Sequence, residues 1–150
     1  MSPGTLDIIA AIAATILTPL GFIAIWCTVS FAMSFFSGWR RLAAVYGTEL
    51  AAPGGQQSTP GGVGPVGYRG SLLIASSGDG LDLRVDVPFR MGHRALRIPW
   101  EDITDAGSER SFSMPIVRLR LGPDGPCMRI PRTTWERFAP QKPAQDESGT

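Results

Sequence analysis

Hydrophobic positions along the chain form one long uninterrupted run, followed by a set of short alternating segments. No Asp, Glu, Lys, Arg or His occurs from Ile8 to Phe36. About 20 apolar residues in a helix cross the hydrocarbon core of a bilayer, so this run predicts one membrane-spanning helix. Pro19 and Gly21 predict a kink near its middle, which membrane helices tolerate.

A cleaved signal peptide is the alternative interpretation of this run. Such a peptide has a positively charged start and an apolar stretch of about 7–15 residues. The tail at residues 1–7 contains no Lys or Arg, and the apolar run is much longer than that stretch. The sequence therefore favours an uncleaved anchor at residues 8–36.

The charges that flank the anchor predict its orientation. Asp7 precedes the run, and Arg40 and Arg41 follow it. Because basic flanks stay in the cytoplasm, we expect the N-terminus outside and the rest of the chain on the cytoplasmic side of the inner (plasma) membrane. Trp39, Arg40 and Arg41 are predicted as membrane-interface residues, since tryptophan and snorkelling arginine side chains are typical of that layer.

Residues 37–47 continue with a helical pattern. Trp39, Leu42, Ala43 and Tyr46 recur at the spacing of one helical face. This pattern predicts either an amphipathic helix lying at the headgroups or the last turns of the spanning helix.

Residues 48–67 are rich in glycine and proline and predict a flexible linker. Gly62, Gly64 and Gly67 match the dinucleotide fingerprint G-x-G-x-x-G. That fingerprint must follow a strand and open a helix, whereas this one contains Pro65 and precedes a strand pattern. The match therefore does not predict nucleotide binding.

Short alternating segments predict a small antiparallel β module over residues 68–138. The clearest alternation runs over residues 81–87, where Val87 belongs to the predicted inner face and Asp82 to the solvent face. The predicted strands are residues 68–76, 81–87, 95–98, 113–121 and 127–131.

The end of the module carries a helix signal. Thr133 and Glu136 fit a capping box, which predicts a short helix over residues 133–138. Residues 139–150 are rich in proline and polar side chains and predict a disordered tail.

Composition excludes several classes of function. The net charge of +1 gives no global attraction for nucleic acid. Two cysteines exclude a disulfide-rich scaffold and a four-thiolate zinc site, and one histidine excludes a histidine-based metal cluster. Cys27 lies in the apolar run and Cys127 in the β module, so no disulfide is expected. The sequence predicts no cofactor and no metal ion.

A basic cluster is the main candidate for binding. Arg90, Arg94 and Arg97 lie close together around His93. They could contact anionic lipid or a protein partner, with lipid contributing about 1 kcal/mol per basic residue near the surface. The alternative is an ordinary solvated hairpin.

An acidic group follows this cluster at Glu101, Asp102, Asp105 and Glu109. Paired carboxylates can serve acid–base chemistry or bind a hard cation, but no calcium-loop pattern occurs and a charged turn is the simpler interpretation. Asp102 is expected to cap the local turn. The chain contains no G-x-S-x-G motif to accompany His93, so catalysis is not predicted.

The motif I-P-W-x-D-I at residues 98–103, followed by a long strand, a hairpin and a terminal helix, resembles bacterial pleckstrin-homology-like (PH-like) and GRAM-like domains. The segment at residues 37–46 resembles the juxtamembrane segment of small bacterial single-pass membrane proteins. The resemblance implies a seven-stranded, partly open barrel with a capping helix and a binding or scaffolding role.

These observations predict a membrane-anchored module that recognises a protein partner or anionic lipid without catalysis. A self-associating assembly protein of the cell envelope, and hence a homo-oligomer, is the second hypothesis. An enzyme whose site is completed by a partner is the third.

Overall fold

The computed structural model describes residues 3–49, 55–87, 89–111 and 114–139. Within these residues it has three helices, α1 (Pro3–Phe36), α2 (Trp39–Tyr46) and α3 (Arg132–Phe138). The strands are β1 (Gly47–Thr48), β2 (Gln57–Val63), β3 (Val66–Ser77), β4 (Gly80–Val85), β5 (Ala95–Pro99), β6 (Ile103–Ser111), β7 (Met114–Leu121) and β8 (Cys127–Pro131). A long apolar helix, an antiparallel sheet and a short terminal helix are therefore confirmed.

The first helix is longer than the predicted span. α1 has 34 residues, which corresponds to about 51 Å at roughly 1.5 Å per residue. It starts at Pro3, inside the predicted tail, because the missing N–H of proline costs nothing in a first helical turn. By length and composition the helix could cross a membrane, with a mean hydropathy of 2.4 over its most apolar stretch.

The eight strands form one antiparallel sheet that curls on itself. Its spatial order is β1-β5-β4-β3-β2-β8-β7-β6. The consecutive strands β5 and β6 lie near opposite ends of this order, yet only the 3-10 turn Trp100–Asp102 joins them. Three residues span at most about 11 Å, so the two ends of the sheet approach each other at this corner. A backbone hydrogen bond of 2.8 Å from Gly122 to Asp102 extends the pairing of β6 and β7 into this corner.

The hydrophobic core lies inside this curl and includes residues from two helices. Trp39 and Leu42 of α2 and Phe138 of α3 are buried together with the inner faces of the strands. The fully buried strand residues of this core are Val63, Tyr68, Leu72, Ile74, Leu81, Leu83, Leu96, Ile98, Leu119, Leu121, Met128 and Ile130. The helical pattern predicted in residues 37–47 corresponds to α2, a helix separate from α1 whose apolar face packs against the sheet.

Part of the predicted linker is a strand. β2 pairs with β3 on one side and with β8 on the other, so it lies in the middle of the sheet. A Cβ at Gly62 would lie 2.9 Å from the carbonyl oxygen of Val66. This glycine is thus required by close packing. The glycine-rich fingerprint lies in the β2–β3 hairpin, and residues 50–54 are outside the described part.

Five strands were predicted, and each corresponds to a strand in the structure. β1, β2 and β6 were not predicted as strands. Most side chains of β6 are exposed along its whole length, so it has no alternation for a pattern to detect. Of the predicted acidic group, Asp105 and Glu109 lie on this edge strand, whereas Glu101 and Asp102 lie in the 3-10 turn before it.

The strand at residues 81–87 differs from its prediction at two positions. It ends at Val85, and Val87 is 69% exposed. Asp82 is only 3% exposed, although alternation placed it on the solvent face. Its carboxylate accepts two hydrogen bonds from Arg97, at 2.7 and 3.0 Å. The cross-strand pairing of these two residues explains how the charge is accommodated.

The predicted capping box is not formed. α3 starts at Arg132, and no side chain caps it. The hydroxyl of Thr134 instead lies 3.1 Å from the hydroxyl of Thr59 on β2. This buried contact holds the helix against the sheet, and the tail after Ala139 lies outside the described residues.

Candidate functional site

A cleft of about 720 Å³ lies between α2, β4 and the segment that joins β4 to β5. We call it the arginine cleft. Four arginines line it, namely Arg40, Arg84, Arg90 and Arg94. Three separate parts of the sequence supply them, so only the tertiary fold brings these charges together.

The arginines of the cleft lie on different elements and differ in exposure. Arg40 follows the buried Trp39 on α2 and is exposed because the helix turns it away from the core. Arg84 is half-buried between the buried residues Leu83 and Val85 of β4. Arg90 lies in the connection after β4 and is exposed.

The cleft carries a large excess of positive charge. Among the described residues that line it, Glu49 is the single carboxylate. It lies 3.4 Å from Arg94, but the side chains are 91% and 61% exposed. Exposed ion pairs of this kind contribute at most about 1 kcal/mol, so an anionic ligand could displace Glu49.

A buried histidine forms the floor of the cleft. The Nδ1 atom of His93 lies 3.2 Å from the carbonyl oxygen of Met91, and Nε2 lies 2.9 Å from the hydroxyl of Tyr68. The neutral tautomer with its proton on Nδ1 satisfies both contacts, since Nε2 then accepts from the tyrosine. Burial lowers the pKa of His93 below its ordinary value, despite the contact with Met91.

Trp39 of α2 packs against the buried histidine and the segment that follows it. Its indole N–H donates a 2.8 Å hydrogen bond to the carbonyl oxygen of Arg94. Its ring lies 5.2 Å from the ring of His93 and 6.0 Å from that of Tyr68. Trp39 therefore positions the end of the connection that carries Arg94.

The segment between β4 and β5 also contacts the last third of α1. The hydroxyl of Ser34 donates a 2.6 Å hydrogen bond to the carbonyl oxygen of Gly92. Gly92 has a φ of 80°, a conformation that favours glycine. The rings of Trp26 and Phe89 stack with their centroids 5.0 Å apart. One side of the cleft is thus attached to the apolar helix.

The structure separates the predicted site residues. Arg90 and Arg94 line the cleft. Arg97 does not, because it is paired with Asp82, and this pairing raises its pKa. Arg97 was therefore wrongly grouped with the other two.

The three residues predicted for the membrane interface also differ from one another. Trp39 is fully buried in the core, so its assignment to a lipid-facing surface was wrong. Arg40 lines the cleft, and Arg41 is exposed beside a different concavity. Sequence reasoning missed Arg84 altogether, since alternation showed only that it was polar.

The other candidate groups do not assemble into a site. Among the residues that the structure describes, no three histidine, cysteine, aspartate or glutamate side chains are arranged to hold a metal ion. Asp102 does not cap the turn, and it accepts a 2.9 Å hydrogen bond from the hydroxyl of Tyr46. Cys27 and Cys127 are both free.

Comparison of the chain with protein-family models, with curated proteins and with solved structures finds no match.

Proposed function

We propose that this protein is a non-catalytic, membrane-anchored binding module whose arginine cleft holds the phosphate of an anionic lipid headgroup. In this proposal α1 is the anchor, the N-terminus lies outside, and the sheet is cytoplasmic. The observation that carries it is the convergence of four arginines on one concavity at the end of the apolar helix.

The chemistry of the lining favours phosphate. Each guanidinium presents several N–H donors in a planar fork that matches the oxygen atoms of a phosphate. Arg90, which is exposed, and Arg84, which is half-buried, have no acidic partner within salt-bridge distance in the described structure. Their charges are therefore available to a ligand.

The position of the cleft favours a lipid as the source of that phosphate. Only Ser37 and Gly38 separate α1 from α2, and Arg40 lies in the first turn of α2. An anchored helix would hold the cleft close to the bilayer surface, where the local concentration of anionic headgroups is high.

The architecture supports a PH-like module. Seven strands of five or more residues, β2–β8, precede the terminal helix α3. This arrangement agrees with the seven-stranded barrel and capping helix that the I-P-W-x-D-I resemblance implies. The two-residue strand β1 is an addition next to β5.

The test is binding of soluble short-chain phosphatidylglycerol to the full-length protein in a non-ionic detergent, measured by calorimetry. Arg84→Ala combined with Arg90→Ala removes two cleft charges. At about 1 kcal/mol for each basic residue, binding should weaken roughly 30-fold. Short-chain phosphatidylcholine should bind poorly to the unchanged protein.

The matched control is Arg118→Ala combined with Arg120→Ala, which removes two exposed charges from β7, outside the cleft. This variant has the same net charge as the first and should bind like the unchanged protein. Equal affinity of both double variants would refute the cleft as the lipid site. Failure of all three proteins to bind the lipid would leave a protein partner as the better hypothesis.

A further inference from the structure

The connection between β4 and β5 carries two large apolar side chains that are exposed. We call residues 86–94 the β4–β5 loop, of which Pro88 is outside the described part. Val87 is 69% exposed and Met91 is 52% exposed. These side chains lie in the same loop as the basic residues Arg90 and Arg94. Exposure of large apolar side chains to water is unfavourable, and their transfer to a lipid surface is favourable.

The loop lies along the apolar helix and not away from it. The thiol of Cys27 donates to the thioether sulfur of Met91 at 3.2 Å. A Cβ on Gly92 would lie 3.3 Å from the Cβ of Ser34, so the loop backbone approaches the helix closely. Ser30 and Ser34 are both fully buried.

The α1 residues that contact the β4–β5 loop show how far the loop extends along the helix. They extend from Trp26 to Ser34, and the helix ends at Phe36. Trp26 and Phe36 are ten positions apart, so the loop reaches about 15 Å along the helix from its C-terminal end at roughly 1.5 Å per residue.

The bilayer needs only part of α1. The hydrocarbon core takes about 20 helical residues, while α1 has 34. A span that begins near Ile8 therefore ends near Cys27, beside Met91. The last turns of α1 then pass through the headgroup layer together with the loop.

We propose that the β4–β5 loop is a second membrane-contact element, which inserts Val87 and Met91 at the boundary between headgroups and acyl chains beside α1. This inference rests on the proposed anchoring by α1. With two attachment points, the module cannot swing freely on its helix, and the arginine cleft stays turned toward the headgroups.

Either the bilayer or a second copy of the chain could cover the exposed apolar side chains of the loop, and the charges of the loop favour the bilayer. Arg90 lies between Val87 and Met91 along the loop, Arg94 follows Met91, and both arginines are exposed. Two symmetric copies packed through their loops would bring these like charges together, which is unfavourable. Anionic headgroups attract the same charges.

The experiment measures the depth of a fluorescent label in vesicles. An environment-sensitive fluorophore is attached to a single cysteine in the full-length protein that carries Cys27→Ala and Cys127→Ala. Three labelled variants are compared: Leu17→Cys in the middle of α1, Met91→Cys in the loop, and Met114→Cys on the distant β6–β7 hairpin. Met114 is the matched control because it is 54% exposed, close to the value for Met91.

The vesicles are made of phosphatidylcholine, with a nitroxide placed either near the top or deep in the acyl chains. We expect the Met91 label to be quenched several-fold more by the shallow nitroxide than the Met114 label. The Leu17 label should be quenched by the deep nitroxide. Because these vesicles contain no anionic lipid, the result does not depend on headgroup binding in the arginine cleft.

An unquenched Met91 label together with a quenched Leu17 label would refute loop insertion and leave the anchor intact. Absence of quenching at both positions would refute insertion and anchoring together. Equal quenching of the Met91 and Met114 labels would also overturn the inference. A blue-shifted Met91 label that no nitroxide quenches would show that protein, such as a second copy, covers the loop.

Discussion

At the scale of single residues, the main feature is that buried polar side chains are paired with a charged or hydrogen-bonding partner. Asp82 and Arg97 form a cross-strand ion pair, and His93 and Tyr68 form a buried hydrogen bond. An unpaired charge in such a place is costly, whereas a paired one is tolerated. Substitution of these residues should therefore lower the free energy of unfolding more than substitution of exposed charged residues.

The pair of Asp82 and Arg97 predicts an order of destabilisation. Arg97→Gln leaves a carboxylate that is 3% exposed without its cation, and we expect a loss of about 3 kcal/mol. Asp82→Asn keeps a hydrogen-bond acceptor, so its cost should be smaller, about 1.5 kcal/mol. Arg118→Gln is the control, since its partner Glu109 is 3.9 Å away and both are exposed. Chemical denaturation of the full-length protein in detergent measures the three losses, and equal losses would contradict the burial argument.

The buried histidine predicts a dependence of stability on pH. Burial lowers the pKa of His93 in the folded chain, so the unfolded chain takes up the proton first as pH falls through about 6.5. Stability is therefore complete above that pH and decreases below it. Thermal melting at pH 7.5 and 5.5 should show a drop that is smaller in His93→Gln. A drop of the same size in both proteins would assign the pH dependence to other groups.

At the scale of elements, α2 is the part whose role changed most between sequence and structure. Its apolar face packs into the core inside the curled sheet, with Trp39 fully buried and Leu42 only 3% exposed. The helix is thus part of the β module and not only a connection to α1.

This packing predicts that α2 is needed for the stability of the sheet. Trp39→Ala should destabilise the protein by about 3–5 kcal/mol, since it leaves a large cavity and removes the contacts with Tyr68 and His93. Val45→Ala on the same helix is the control, because Val45 is 72% exposed and its change should be close to neutral. Denaturant melts of the two variants measure the difference. A small effect of Trp39→Ala would mean that the sheet folds without α2.

The β2–β3 hairpin gives a second prediction at this scale. Gly62 and Gly67 are directly opposite each other in the pairing. A Cβ at Gly62 would lie 2.9 Å from a backbone oxygen, whereas a Cβ at Gly67 has no neighbour within 4 Å. Gly62→Ala should therefore cost about 1–3 kcal/mol, and Gly67→Ala should cost nothing. Thermal melting distinguishes the two, and similar values would show that the backbone shifts freely at Gly62.

At the scale of the whole molecule, the structure joins a long apolar helix to a curled antiparallel sheet at one end of that helix. Arg90 and Arg94 of the arginine cleft belong to the β4–β5 loop, and Met91 of the same loop contacts Cys27 of α1. If α1 is an anchor, its orientation determines which side of the membrane supplies the ligand.

The flanking charges predict that orientation. A reporter fused to the C-terminus, active only in the cytoplasm, should give a signal in the unchanged protein because Arg40 and Arg41 favour the cytoplasmic side. Replacing both arginines by glutamate should reduce this signal, while the same changes at Arg118 and Arg120 should not. A signal only from an external reporter would mean that the module faces away from the cytoplasm.

The sequence alone determined the features that depend on residues close to each other along the chain. The run without charges from Ile8 to Phe36 predicted α1, and alternation with turn residues such as Asp79-Gly80 predicted five of the strands. Local periodicity decides these elements, so a short window of sequence contains the necessary information.

Tertiary structure alone decided the features that depend on residues far apart in the chain. β2 is a strand despite its linker-like composition because β3 and β8 pair with it on both sides. The partners of Asp82 and Trp39, and the meeting of Arg40, Arg84, Arg90 and Arg94 in one cleft, depend on sheet order and on the packing of α2. No local pattern encodes these contacts, because they form only when the curled sheet brings distant segments together.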